Sequence, residues 1–157
     1  MTHIRTTLRE QLKTVLINAA TDAGDDVKAH PFNVRRAFPS ITIEDLGANH
    51  SEGQVTESIS PITAVGAVHL QRVYRVCVLA EVQQSTDADI ERDNLTEQIE
   101  SAVAAAYTAG TFGRIQSVVP IAYQSSDRND GDSPSRRGLT IFEFRYITSQ
   151  NAPSTLL

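Results

Sequence analysis

The chain has 157 residues, one cysteine and a formal net charge of −5 at pH 7. This length suits one domain that buries a core without help from metals or disulfides. Because Cys77 has no second cysteine as a partner, an internal disulfide, a thiolate zinc site and a Cys-x-x-Cys redox pair are excluded. The negative charge argues against a tight grip on nucleic-acid phosphates, although it does not prevent DNA from passing.

The composition is that of an ordinary globular domain, with 40% hydrophobic and 21% charged residues. Near the start of the chain, charged residues such as Arg5, Arg9 and Lys13 interrupt the apolar ones, which is not the pattern of a secretory signal. No segment reaches the roughly 20 apolar residues that span a bilayer. We therefore expect a protein that is made in the cytosol and stays there or is built into a larger particle.

Apolar residues at three- and four-residue spacing predict an N-terminal helix that ends near Gly24. The stripe consists of Ile4, Leu8, Leu12, Val15, Leu16 and Ala19. Pro31 and Pro39 then enclose an irregular bridge, because the residue before a proline is pushed toward extended geometry. Period-two alternation over residues 41–45 predicts a short strand.

Residues 47–66 are rich in Ser, Thr, Gly and Glu, which predicts a protruding arm or flexible hairpin with a strand between residues 54 and 62. Residues 68–82 alternate most clearly, and only Arg72 interrupts the apolar face. At about 3.3 Å per residue this strand would be roughly 50 Å long. Because most strands are much shorter, we expect its end to project beyond the sheet.

A second helix is predicted after a cap at Thr86 or Asp87, with Gly110 and Gly113 closing it. Its apolar stripe consists of Ile90, Leu95, Ile99, Ala102, Val103 and Ala106. Residues 115–124 and 139–148 predict two further strands. The intervening residues 125–137 contain no apolar side chain, so we expect a solvated loop there.

The predicted fold class is α+β, with element order α-β-β-β-α-β-β and two helices packed on one face of a largely antiparallel or mixed sheet. Residues 1–148 would form the single domain, and residues 149–157 a C-terminal tail.

The sequence predicts no catalytic residue, cofactor or metal site. The four histidines, His3, His30, His50 and His69, are scattered, and no pair has the spacing of two metal ligands on one helix. Asp87, Asp89 and Glu91 form an acidic cluster, which is explained by the favourable interaction of carboxylates with the start of a helix. Divalent-cation binding by this cluster is the alternative. Cys77 is interpreted as a packing residue.

Adjacent arginines are the main candidate contact residues. Arg35–Arg36 and Arg136–Arg137 are either solvated charges or ion-pair partners for acidic residues of neighbouring copies. The acidic candidates are Glu44, Asp45, Glu52 and Glu57.

The segment VRRAFPSITI at residues 34–43 lies between the N-terminal helix and the long strand, and a helix and a pair of strands follow that strand. This segment and this order of elements resemble one known family. The chain is similar to the tail terminator proteins of long-tailed bacteriophages, the minor tail protein U type. The resemblance covers residues 4–148 and rests on the order and length of the elements.

This resemblance implies a structural virion protein of the phage neck without an active site. Its subunits would form a ring, expected to be hexameric, that caps the tail tube, ends tube polymerisation and receives a head-tail connector or stopper protein. DNA would pass through without specific binding. Together with the residue patterns above, this gives a hypothetical set of subunit or partner contacts, Arg35, Arg36, Phe38, Arg72, Arg75, Arg128, Arg136 and Arg137.

The segments 47–66 and 125–137 are interpreted as contact arms. Two alternatives stay open. The first is another head-tail joining or tail completion protein, and the second is a small metal-dependent enzyme or ligand-binding domain that uses Asp87, Asp89 and Glu91.

Overall fold

Helices and a mixed sheet make up the part of the chain that the computed structural model describes, residues 3–29, 37–47, 55–64, 66–129 and 134–157. Within these ranges the order is α1 (Ile4–Asn18), β1 (Val27–Ala29), β2 (Ser40–Asp45), β3 (Glu57–Ala64), β4 (Ala67–Gln83), α2 (Ala88–Thr108), β5 (Ser117–Arg128), β6 (Ser135–Ser149) and β7 (Ala152–Leu156). The predicted α+β class is confirmed, and the short strands β1 and β7 are additional to the predicted order.

The two longest strands, β4 and β6, form the centre of the sheet. Residues 69–83 of β4 pair antiparallel with residues 149–135 of β6. The other side of β4 is shared, because β3 borders residues 67–74 and β2 borders residues 76–81. The outer side of β6 is shared in the same way between β5 and β7. Since β1 runs parallel to β2, the sheet is mixed.

The length predicted for the long strand is confirmed, since β4 has 17 residues. The prediction that its end projects beyond the sheet is wrong. β6 is nearly as long, with 15 residues, and the chain of β3 folds back along the start of β4. β3 lies within the segment predicted as an arm, of which residues 48–54 and 65 lie outside the described residues.

The predicted solvated loop at residues 125–137 is also wrong in most of its extent. β5 continues to Arg128, and β6 begins at Ser135. Polar residues continue these strands because the ladder is made by backbone groups, which do not require apolar side chains. Residues 130–133 lie outside the described residues. The segment 149–157, expected as a tail, contains β7, which pairs with β6.

The predicted stripe of α1 faces the sheet, with Ile4, Leu8, Leu12 and Leu16 buried. The helix begins after His3, whose Nδ1 accepts a hydrogen bond of 3.2 Å from the backbone N–H of Arg5. This contact satisfies one of the amides that a helix start leaves without a partner.

The stripe of α2 is confirmed for Leu95, Ile99, Val103 and Ala106, which are buried. Ile90 was wrongly included, because it is exposed and Ala88 is the buried residue of the first turn. Ala88 precedes Leu95 by seven residues, which is two helical turns and therefore the same face. After the helix, Gly110 adopts a φ of 73°, a conformation that glycine accepts without a steric penalty.

Both stripes pack on one sheet face and form the main core with Ile41, Ile43, Tyr74, Val76, Val78, Phe142, Phe144 and Tyr146. The ring of Phe112, which follows α2, meets the ring of Phe144 edge-on at 5.4 Å between centroids. A smaller buried cluster, Leu46, Cys77, Leu139 and Ile141, lies on the opposite sheet face. Neither helix in the described ranges is long and apolar enough to cross a membrane.

Candidate assembly surfaces

The arginines predicted as contacts are mostly engaged within the chain. Arg35 and Arg36 lie outside the described residues, and Phe38 and Arg128 are half-buried. The other four, Arg72, Arg75, Arg136 and Arg137, each form an ion pair inside the chain. Their role in contacts between subunits stays a prediction.

Arg72 and Glu57 form a buried ion pair that joins β4 to β3. The guanidinium Nη1 lies 3.0 Å from Glu57 Oε2, and each side chain is only 7% exposed. Arg72 also donates from Nε to the hydroxyl of Thr148 at 2.9 Å, and the Tyr146 hydroxyl donates to the second oxygen of Glu57. Burial and the adjacent Glu57 carboxylate raise the pKa of Tyr146, so its hydroxyl remains a donor. Arg72 therefore interrupts the apolar alternation because it neutralises a buried carboxylate.

A second polar cluster lies under α1. The Tyr74 hydroxyl donates to Asp45, which also pairs with Arg9 from the helix. Burial and then Asp45 raise the pKa of Tyr74. Through these contacts, Asp45 at the end of β2 is tied both to the centre of the sheet and to α1. Asp45 and Glu57 were expected to attract neighbouring copies, but both are paired inside the chain.

Charged residues on the opposite sheet face are paired with one another, both across strands and within β6. Glu143 accepts from Arg75 at 3.1 Å and from Arg145 at 2.8 Å. The buried Glu81 carboxylate accepts from Arg137 at 3.1 Å and from the Ser135 hydroxyl. Arginine and carboxylate thus alternate on this face, which limits its net charge.

The acidic start of α2 does not form a metal site within the described ranges, where no group of three or more His, Cys, Asp or Glu residues could hold an ion. Asp89 accepts from Arg92 at 2.9 Å, and Arg92 also contacts Asp93. Arg136 makes a second exposed pair of this kind with Asp127 at 2.6 Å. Asp87 occupies the cap position without a capping hydrogen bond from its side chain.

The outer edge of the sheet at β5 is apolar and exposed. Val119, Ile121 and Tyr123 are between 42% and 46% exposed. β5 has 12 residues and pairs with β6 on one side, while no described strand pairs with its other side. The register is irregular between Pro120 and Ala122. Three large apolar side chains within five residues make this edge, which we call the β5 edge, a candidate contact surface.

A second exposed apolar surface lies at the opposite edge of the sheet, beyond β4. Val55, Ile59 and Val68 are exposed in or next to the β3–β4 hairpin. β3 pairs with β4, and among the described strands none pairs with its other side. We call this surface the β3 edge. Val55 and Ile59 lie within residues 47–66, which were interpreted as a contact arm, and that role stays a prediction. The sequence did not predict the β5 edge as a contact, because the exposure of an apolar residue depends on which strand becomes an edge.

A groove of about 510 Å³ is lined by residues of α1 and by Thr111. Of the described residues that line it, Glu10 is the one titratable group, and the others are mainly threonine and amide side chains. The described lining thus combines one carboxylate with uncharged side chains.

The comparisons with known proteins identify no relative, since neither a protein-family model nor a curated protein matches the chain. The resemblance to tail terminator proteins stays a prediction from the order of elements and the segment at residues 34–43.

Proposed function

We propose that the chain is a structural subunit of a phage neck and forms a ring, expected to be hexameric, at the end of the tail tube. The ring would end tube polymerisation and offer a surface to the head-tail connector or stopper protein. The observation that carries the proposal is the pair of unlike exposed apolar edges on opposite sides of one sheet. The protein would act in the tail or neck of the virion, after assembly in the host cytoplasm.

Two unlike surfaces favour a ring over a two-fold dimer. When the contact joins two different patches, a growing series of copies keeps one open patch of each kind, one at either end, and it ends when these two patches meet and close a ring. A two-fold dimer instead uses the same patch on both copies. The β5 edge and the β3 edge differ in sequence and position, which supports head-to-tail association.

The charge distribution is compatible with a ring that DNA passes through. The net charge is −5, and the arginines described above are offset by nearby carboxylates. Binding to duplex DNA depends mainly on uncompensated basic residues that neutralise phosphates. A channel lined by such a chain would let DNA slide without holding it.

The test is a tube-growth assay with the tail tube protein of the same phage. We expect substoichiometric amounts of the chain to stop elongation, because only tube ends need to be occupied. Unchanged growth would refute the terminator role. If growth is unchanged but the chain binds an isolated connector, another head-tail joining protein is the better description.

A further inference from the structure

We infer that neighbouring copies join their sheets edge to edge, with β5 of one copy pairing with β3 of the next copy. This inference rests on the proposed ring, for which it specifies the contact. The occupant of each edge is therefore a second copy of this chain.

The directions of the strands allow this pairing without turning a copy over. β3 and β6 both run antiparallel to β4, and β5 runs antiparallel to β6. β5 therefore runs opposite to β3 across the sheet. When a second copy is placed beside the first with its strands running in the same directions and is rotated only as far as the ring requires, its β3 meets β5 as an antiparallel neighbour. Antiparallel pairing is slightly more stable per residue than parallel pairing.

The distribution of charge also selects these two edges. No Asp, Glu, Lys or Arg occurs at residues 115–126 around β5 or at residues 58–64 of β3. Edge strands that stay unpaired usually carry charges, especially lysine, or prolines that block addition of another strand. Here Pro120 and Pro61 are the only such residues in the two segments. Because each copy carries a charge of −5, copies repel overall and approach most easily through uncharged surfaces.

The other described edges are poorer candidates. β1 has three residues, and β7 has five, compared with eight for β3 and 12 for β5. A longer strand offers more backbone hydrogen-bonding groups to a neighbour. The exposed apolar side chains of Val119 and Ile121 on one copy and Ile59 on the next would add buried area.

A mixing experiment tests the inference with one variant at each edge. Ile121→Lys blocks the β5 edge, and Ser60→Lys blocks the β3 edge, because an inserted lysine would be buried at the new contact. Ile90→Lys is the matched control, since Ile90 is exposed on α2 and belongs to neither edge. Circular dichroism verifies that each variant is folded. Val119→Asn replaces Ile121→Lys at the β5 edge if that variant does not fold, and Ile59→Asn replaces Ser60→Lys at the β3 edge.

Sedimentation velocity then measures assembly, with tail tubes added if the wild type needs them. Each edge variant alone should lose the ring, with self-association weakened on the order of 100-fold. An equal mixture should form a 1:1 dimer and nothing larger, because one intact β5 edge meets one intact β3 edge. The control should form the wild-type ring.

Several results would overturn the inference. If Ser60→Lys still self-associates, the contact is a two-fold pairing of β5 edges. If the mixture gives no dimer, β5 does not pair with β3. If the wild-type ring stops tube growth but the mixed edge variants stay monomeric, the proposed contact is refuted and the proposed function is not. If the mixed variants form the dimer but the wild type does not affect tube growth, the proposed function is refuted and the contact is not.

Discussion

Replacing Glu57 by glutamine should destabilise the chain far more than an equivalent change at the surface. The substitution keeps the size of the side chain and an oxygen that can accept from Tyr146. It removes the negative charge next to Arg72, whose side chain is only 7% exposed. Arg72 would then be a buried cation without a compensating carboxylate, which is among the costly changes in a protein interior.

Breaking a buried pair by removing one partner costs about 3 to 5 kcal/mol. Because glutamine retains hydrogen bonding, we expect the lower end, a loss of about 3 kcal/mol. For a chain of this size, that loss lowers the melting temperature by roughly 6 to 12 °C. The control is Asp127→Asn, which breaks the Arg136–Asp127 pair. Its N–O distance is shorter, 2.6 Å, but its side chains are 29% and 37% exposed. Exposed pairs contribute about 0 to 1 kcal/mol.

The assay is urea unfolding followed by circular dichroism for the wild type and the single variants Glu57→Gln, Arg72→Met and Asp127→Asn. The double variant Glu57→Gln, Arg72→Met completes the comparison and should be more stable than the sum of the single losses predicts, because neither charge is left alone. Equal losses for Glu57→Gln and Asp127→Asn would show that burial does not govern the strength of these pairs. A loss below about 0.5 kcal/mol for Glu57→Gln would show that Arg72 does not depend on a buried carboxylate, because surface changes alone have effects of that size.

Three further predictions concern separate parts of the chain. Burial and the adjacent Arg5 lower the pKa of His3 below its usual value, so the unfolded chain binds a proton at this residue before the folded chain does as the pH falls. The wild type should therefore lose stability relative to His3→Asn below about pH 6.5. Parallel pH profiles of stability for the two proteins would contradict this. Burial, with smaller effects from Glu44 and Asp45, raises the pKa of Cys77 to about 12. A thiol reagent at about pH 8 should therefore label Cys77 only after the chain unfolds. Rapid labelling of the folded chain would be inconsistent with the burial of Cys77. Magnesium or manganese should leave the melting temperature unchanged, and a stabilisation that disappears in Asp87→Asn, Asp89→Asn would favour the metal-dependent alternative.

The repeated patterns of the sequence predicted the main elements well. Leu8 and Leu12 recur at helical spacing, and Val76 and Val78 alternate along β4, because a core selects one face of each element. The extent of the hairpin formed by β5 and β6 could not be predicted, because its polar residues are held by backbone hydrogen bonds. Such bonds have no side-chain signature in the sequence.

The candidate surfaces were harder to predict, because they depend on contacts between residues far apart in the chain. Arg72 was recognised as an exception in an apolar alternation, but its partner Glu57 and its hydrogen bond to Thr148 follow only from strand register. The exposure of Ile121 likewise follows from the position of β5 at the edge of the sheet. Composition alone does not distinguish an edge strand from a central one.

Electron microscopy of purified tail tubes incubated with the chain would show whether a ring forms at the tube end. We expect a ring of density at one end of each tube, with a rotational symmetry that equals the number of subunits and a central opening. Bare tube ends, or the chain bound along the tube walls, would contradict it.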